Sequence, residues 1–114
     1  MKKTAIAAFA VLALLGIENG FAADKSEKFK VSGNCEMCEK RIEKAAQGVD
    51  GVTKADWNKD TKQMSVDFDD AKTSLDKVEA AIAKVGHDTP LHKADAKTYE
   101  ALPACCKYER PAVK

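Results

Sequence analysis

A C-x-x-C pair stands where a two-residue apolar alternation gives way to a helical one. Glu27–Gly33 (EKFKVSG) puts Phe29 and Val31 on one face with charged residues between them, the pattern of a short half-buried strand. Gly33 and Asn34 interrupt it. From Cys38 to Gln47, Ile42, Ala45 and Ala46, with Val49 just beyond, recur at helical spacing from Cys38. Cys35 and Cys38 therefore occupy a loop and the start of a helix. A thiolate there faces the positive end of the helix dipole and backbone N–H groups without intrahelical partners, which lowers its pKa. Paired thiols of this kind bind soft metal ions or exchange disulfides. The chemistry of the chain is thus concentrated in Ser32–Gly48.

The remaining pattern constrains the fold. Gly48 is placed as a left-handed C-cap of the first helix, and Asp50-Gly51 marks a turn. Val52–Asn58 alternates through Ala55 and Trp57, and Lys62–Phe68 through Met64, Val66 and Phe68; Asn58–Thr61 between them has hairpin-turn polarity. Thr73 is the expected start of a second helix, with Asp76 as its capping-box partner; Leu75, Val78, Ile82 and Val85 form its apolar stripe and Gly86 closes it. Asp88–Lys93 supplies a short last strand. The order strand, helix, strand, strand, helix, strand predicts an α+β, ferredoxin-like βαββαβ sandwich, a four-stranded antiparallel sheet with both helices on one face. Trp57 is expected to pack in or beside the core. Asp95–Leu102 adds one or two helical turns capped by Asp95, and Pro103 ends them. The two adjacent cysteines with aromatic neighbours that follow, Cys105 and Cys106, imply that residues 94–114 form an extension that folds back on the domain.

The N-terminus has the composition of a signal peptide over residues 1–22. Lys2 and Lys3 are followed by the apolar Ala5–Ile17, shorter than the roughly 20 residues a membrane-spanning helix needs, and Gly20-Phe21-Ala22 offers a cut after Ala22. Removing those 22 of the 114 residues leaves 92, enough for one small domain over residues 23–93 with its extension. Without Lys2, Lys3 and Glu18, the 19 basic and 18 acidic residues become 17 of each. That balance gives no electrostatic footprint for nucleic acid. The expected location is periplasmic or secreted, with the processed chain not embedded in the membrane.

Four cysteines in an exported chain point first to disulfides, and four allow three pairings. They fall in two tight pairs, however, Cys35 with Cys38 and Cys105 with Cys106, rather than spread as a stapling framework would be. A bond between neighbours 105 and 106 would be strained, so cross-pairing of tail to loop is the expected oxidised form.

These residues resemble the heavy-metal-associated domain family. The resemblance is carried by the C-x-x-C at Cys35 and Cys38, the helix EKRIEKAAQGVDGV, the hairpin WNKDTKQMSVDFD and the second helix ending KVGHDT, from about Lys28 to Leu91. It implies a domain that holds a soft ion on the two thiolates and passes it on through shared-thiolate intermediates. Two positions depart from the family pattern. The Met of the usual G-M-T-C is absent from Ser32-Gly33-Asn34-Cys35, and Met37 stands between the cysteines, where a polar or small residue is usual. In the family the loop after the second helix lies next to the metal loop. The resemblance therefore makes His87 a candidate third ligand, whereas His92 reads as surface.

A pair of thiolates suits two-coordinate Cu(I) or Hg(II). Zinc wants four ligands, which Cys105 and Cys106 or His87 would have to help supply. The expected function is therefore capture of Cu(I), or of mercury(II) or zinc, for buffering or for delivery to a metal-transporting membrane protein. The alternative is a thiol-disulfide redox protein or a disulfide-stabilised interaction domain using the same cysteines. No phosphate loop and no Ser/His/Asp arrangement is present, so no enzyme is expected.

Overall fold

The computed structural model describes residues 24–110. The signal-peptide reading of residues 1–22 lies outside them. β1 (Asp24–Lys30) leads through the cysteine loop into α1 (Glu36–Gln47), followed by β2 (Val52–Trp57), β3 (Gln63–Asp69) and α2 (Leu75–Lys84). A short α3 (Ala96–Glu100) and a 3-10 turn (Ala104–Cys106) complete the described chain. β3 is central, antiparallel to β1 on one side and to β2 on the other.

The alternation in the sequence becomes one buried sheet face. Phe29, Met64 and Trp57 lie in a single rung across the three strands, and Ala55 and Val66 pair in the next. Cys38, Ile42 and Ala46 of α1 and Val78 and Ile82 of α2 cover that face, all five fully buried. Burying the larger aliphatic side chains contributes roughly 1.5–3 kcal/mol each. Trp57 is buried as expected and donates its indole N–H to the Val31 carbonyl at 3.1 Å. Its ring also lies under the cysteine loop.

The hairpin turn forms as read, with Asn58 Oδ1 accepting the backbone N–H groups of Asp60 and Thr61. Other local details differ. Gly48 is the C-cap of α1 but keeps right-handed geometry (φ −74°). The left-handed glycines are Gly51 and Gly86, where the chain reverses after each helix (φ 105° and 113°). The second helix is capped one residue later than expected: Ser74 Oγ accepts the Lys77 N–H, which leaves Asp76 in the first turn rather than in a capping box.

The ferredoxin-like arrangement holds, with three regular strands among the described residues. Where the fourth was expected, the chain after α2 runs beside the extension of β1 on one backbone bond, Ser32 N–H to the Asp88 carbonyl at 3.0 Å. The next bond there comes from a side chain, His87 Nδ1 to the Ser32 carbonyl at 2.8 Å. Thr89 then turns back to pair with His92, and Pro90 has no N–H to give a ladder. The sheet edge beside the cysteine loop is therefore finished by side chains, and it carries His87 and Asp88 to the loop.

Gly33 sits where loop, helix and sheet meet. A Cβ added there would lie 2.9 Å from Trp57 Cη2 and 3.2 Å from Cys38 Cβ. Gly33→Ala is expected to cost about 1–3 kcal/mol in urea unfolding, the usual penalty of overpacking. It should also change the emission of Trp57, the only tryptophan of the chain.

Candidate metal centre

The thiols at opposite ends of the domain meet. Cys35, the N-cap residue of α1, has its Sγ 2.7 Å from that of Cys105, 3.4 Å from Cys38 and 3.5 Å from Cys106. Cys105 and Cys106 are 4.0 Å apart at sulfur. Cys35, Cys105 and Cys106 form a group whose sulfurs all lie within 4.8 Å of one another. An ion about 2.3 Å from each of three thiolates would hold them about 4 Å apart, so Cys105 need move outward only by about 1 Å. Cys105 is the exposed member, while Cys106 and Cys38 are fully buried. The tail thus folds back on the loop, and all four cysteines are free thiols in this structure.

A latch of polar contacts holds the tail there. Tyr108 donates its hydroxyl to the Gly86 carbonyl at 2.7 Å and accepts the Asp88 N–H at 3.0 Å. Arg110 grips the Asp88 carboxylate through Nε and Nη2, both at 3.0 Å, and also donates to the Ala94 carbonyl. Asp88 is buried and accepts the Ala94 N–H as well. Tyr99 donates its hydroxyl to the Tyr108 carbonyl and packs edge-on against the Tyr108 ring, with Arg110 over its own face. Leu102 fills the space over Gly86, where a Cβ would meet it at 2.8 Å. Bidentate and charge-assisted bonds of this type are the stronger ones, and they fix direction as well as distance.

The electrostatics divide the thiols. Burial pushes the Cys35 thiol up, but hydrogen bonds from the Cys105 thiol, the Cys38 backbone N–H and the Cys38 and Cys106 thiols outweigh it and bring it down to about 6. The Cys105 thiol is raised, chiefly because it donates to Cys35. Burial, reinforced by bonds to Cys38 and Cys35, pushes Cys106 far up. Near neutral pH the cluster thus holds one thiolate, on Cys35, solvated by neighbouring thiols. Arg41 Nη1 reaches Cys106 Sγ at 3.5 Å and offers a positive charge to any further thiolate. Cys38 Sγ accepts the Asn34 N–H at 3.3 Å, which pins the loop.

His87 is brought to the loop without joining the thiol group. It is fully buried, bonded through Nδ1 to Ser32 and stacked on Tyr108 at 5.7 Å, and burial lowers its pKa. His92 pairs with Asp76 at 2.9 Å on the surface. Reading by spacing missed Asp88, Tyr108, Arg110 and Arg41, whose roles depend on contacts 16 to 65 residues apart. The only local signal was the aromatic neighbour of the Cys-Cys pair. Glu39, Glu43 and Asp56 also gather, but Glu43 already accepts the Trp57 N–H.

A ferredoxin-like sandwich with thiols at its first loop and helix is the architecture of a soft-metal-binding domain. The heavy-metal-associated domain profile matches residues 28–88, and the chain belongs to that family. The match ends before the Cys105–Cys106 tail. The mercuric transport protein periplasmic component of Pseudomonas aeruginosa is 40% identical over 85 residues, 73% of this chain and 93% of that protein. The copper chaperone CopZ of Staphylococcus aureus is 38% identical over 55 residues, 48% of this chain and 81% of its own. Among solved structures, oxidized MerP from Ralstonia metallidurans CH34 superposes with a TM-score of 0.57 at 38% identity, covering 59% of this chain and 94% of that one.

The depressed Cys35 pKa has a direct consequence. Alkylation requires thiolate, so the rate at Cys35 should rise with pH through a midpoint near 6. Cys105 and Cys106 should react only above the ordinary thiol range. Peptide mass mapping after iodoacetamide pulses between pH 5 and 10 measures this directly.

Proposed function

We propose that this protein is an exported carrier of a soft metal ion, Cu(I) before Hg(II), held by thiolates from both ends of the domain. The observation that carries the reading is the meeting of Cys35, Cys105 and Cys106 within 4.8 Å. In this reading Cys35 is the first ligand, because it is already ionised near neutral pH. Cys106 and Cys105 lose their protons as the ion arrives, since metal binding releases the protons of its thiols. Cys38, its Sγ 3.4 Å from that of Cys35, is the second thiolate of the C-x-x-C pair. It takes the ion with Cys35 on loading and holds it with Cys35 when the tail thiols are absent. Three thiolates suit Cu(I) or Hg(II), whereas zinc would draw in Cys38 as a fourth.

A site closed by its own tail favours retention of the ion over rapid hand-on. Buffering is therefore the primary role, and delivery to a metal-transporting membrane protein requires a partner thiol to displace Cys105, the exposed ligand. Support for a metal cargo comes from membership of the heavy-metal-associated family and from relatives named for mercury transport and copper chaperoning. Support for a periplasmic location comes from the N-terminal composition and from a relative named as a periplasmic component. Among the described residues, no helix is long and apolar enough to cross a membrane. We assign no enzymatic activity. The alternative, a thiol-disulfide redox protein, draws on the 2.7 Å approach of Cys35 and Cys105, which are placed for disulfide exchange.

Titration of the fully reduced chain with Cu(I) against a competing chelator separates these readings. One tightly held Cu(I) per chain is expected, with affinity falling in Cys35→Ser and in the double variant Cys105→Ser/Cys106→Ser. Weak uptake by the wild type, together with insulin reduction at catalytic rates, would replace the carrier reading with the redox one.

A further inference from the structure

Met37 is one of two large hydrophobic side chains left exposed among the described residues, at 51% of its full accessibility. It occupies the first turn of α1, between Cys35 and Cys38. Its thioether sulfur lies 3.7 Å from Cys105 Sγ. That spacing is close to the roughly 4 Å expected between sulfurs sharing one ion at about 2.3 Å. The thioether thus stands on the open side of the thiol group, beside its one exposed thiol.

From this geometry we infer that Met37 is a fourth, neutral sulfur donor to the ion held by Cys35, Cys105 and Cys106. The inference rests on the carrier reading above and refines its ligand set. Three thiolates already give a Cu(I) complex a net charge of −2, and a fourth would add another negative charge to a partly buried site. A thioether adds a soft donor without charge. Thioether and thiolate donors together select Cu(I) over harder or borderline divalent ions. Met37 can reach inward because its unbranched side chain has three rotatable bonds and is not locked in the core. It also borders a groove of about 530 Å³ with Lys40, Arg41, Lys44, Ala45 and Val85. Leucine would preserve the apolar lining of that groove and remove only the sulfur.

The experiment labels the methionine methyl groups of the full chain with carbon-13 and adds Cu(I) anaerobically to the reduced protein. The Met37 methyl resonance should shift with the first equivalent, while that of Met64, buried under the helices, should stay in place. Met37→Leu should lower Cu(I) affinity roughly tenfold or more, an effect that even outer-sphere partners of a metal can reach, and leave Zn(II) affinity unchanged. If Cu(I) binds tightly while the Met37 methyl does not move, or if Met37→Leu binds as well as wild type, the Met37 assignment fails alone. If the wild-type chain takes up no Cu(I), both this assignment and the carrier reading fall.

Discussion

The grip of Arg110 on Asp88 is the contact on which the candidate site depends. Cys105 and Cys106 lie about 70 residues from Cys35, and without the tail in place the cluster is only a C-x-x-C loop. Ordering that tail costs on the order of 1–2 kcal/mol of backbone entropy per residue. Its few apolar anchors, Leu102 and Cys106 among them, are small for that task. The bidentate Arg110–Asp88 pair, the Tyr108 hydroxyl between Gly86 and Asp88, and the Tyr99 and Tyr108 rings supply the remainder. Removing one partner of a buried ion pair typically costs about 3–5 kcal/mol, because the other charge is left uncompensated. Asp88 is buried and Arg110 only partly so; loss of Arg110 would leave the carboxylate uncompensated and release the tail, and with it two of the clustered thiols.

The edge of the sheet and the site have one cause. The chain after α2 forgoes a regular ladder, and its groups are spent on loop and tail instead. His87 bonds the Ser32 carbonyl, and Asp88 uses its N–H on Tyr108 and its carboxylate on Ala94 and Arg110. Burial keeps His87 neutral to lower pH than an ordinary imidazole, which suits a side chain that props the loop by one hydrogen bond. The Tyr108 hydroxyl, pushed up to about 12 by burial and the Asp88 charge, likewise remains a donor through the whole physiological range.

Much of this was readable in the chain, for definable reasons. Periodicity exposed the βαββα order because Phe29, Ala55, Trp57, Met64, Val66 and Phe68 face a single core. The Asn58 turn and the Asp95 cap were legible because each acts within three residues of itself. Gly48 misled because a glycine after a helix can cap it without the left-handed turn, which here falls at Gly51. The cap at Ser74 instead of Thr73 is a one-residue ambiguity between two hydroxyls. The short last strand expected over Asp88–Lys93 is not among the regular strands of the described residues, because Pro90 and the Thr89–His92 turn follow its one backbone bond to Ser32. The latch was invisible because nothing in the spacing of Asp88, Tyr108 and Arg110 marks them as neighbours.

Physically, the family's two-thiol loop becomes a candidate three-thiol basin once the tail is latched over it. One ionised thiol, a nearby guanidinium and two protonated thiols form a site that is charged only in part until an ion arrives. The most direct measurement is copper-edge X-ray absorption on the reduced full chain carrying one Cu(I), set beside the double variant Cys105→Ser/Cys106→Ser. At least three sulfurs at thiolate distance in the full chain, falling to the two of Cys35 and Cys38 in the variant, are the predicted result. Two sulfurs at that distance in both proteins would contradict a site shared between loop and tail.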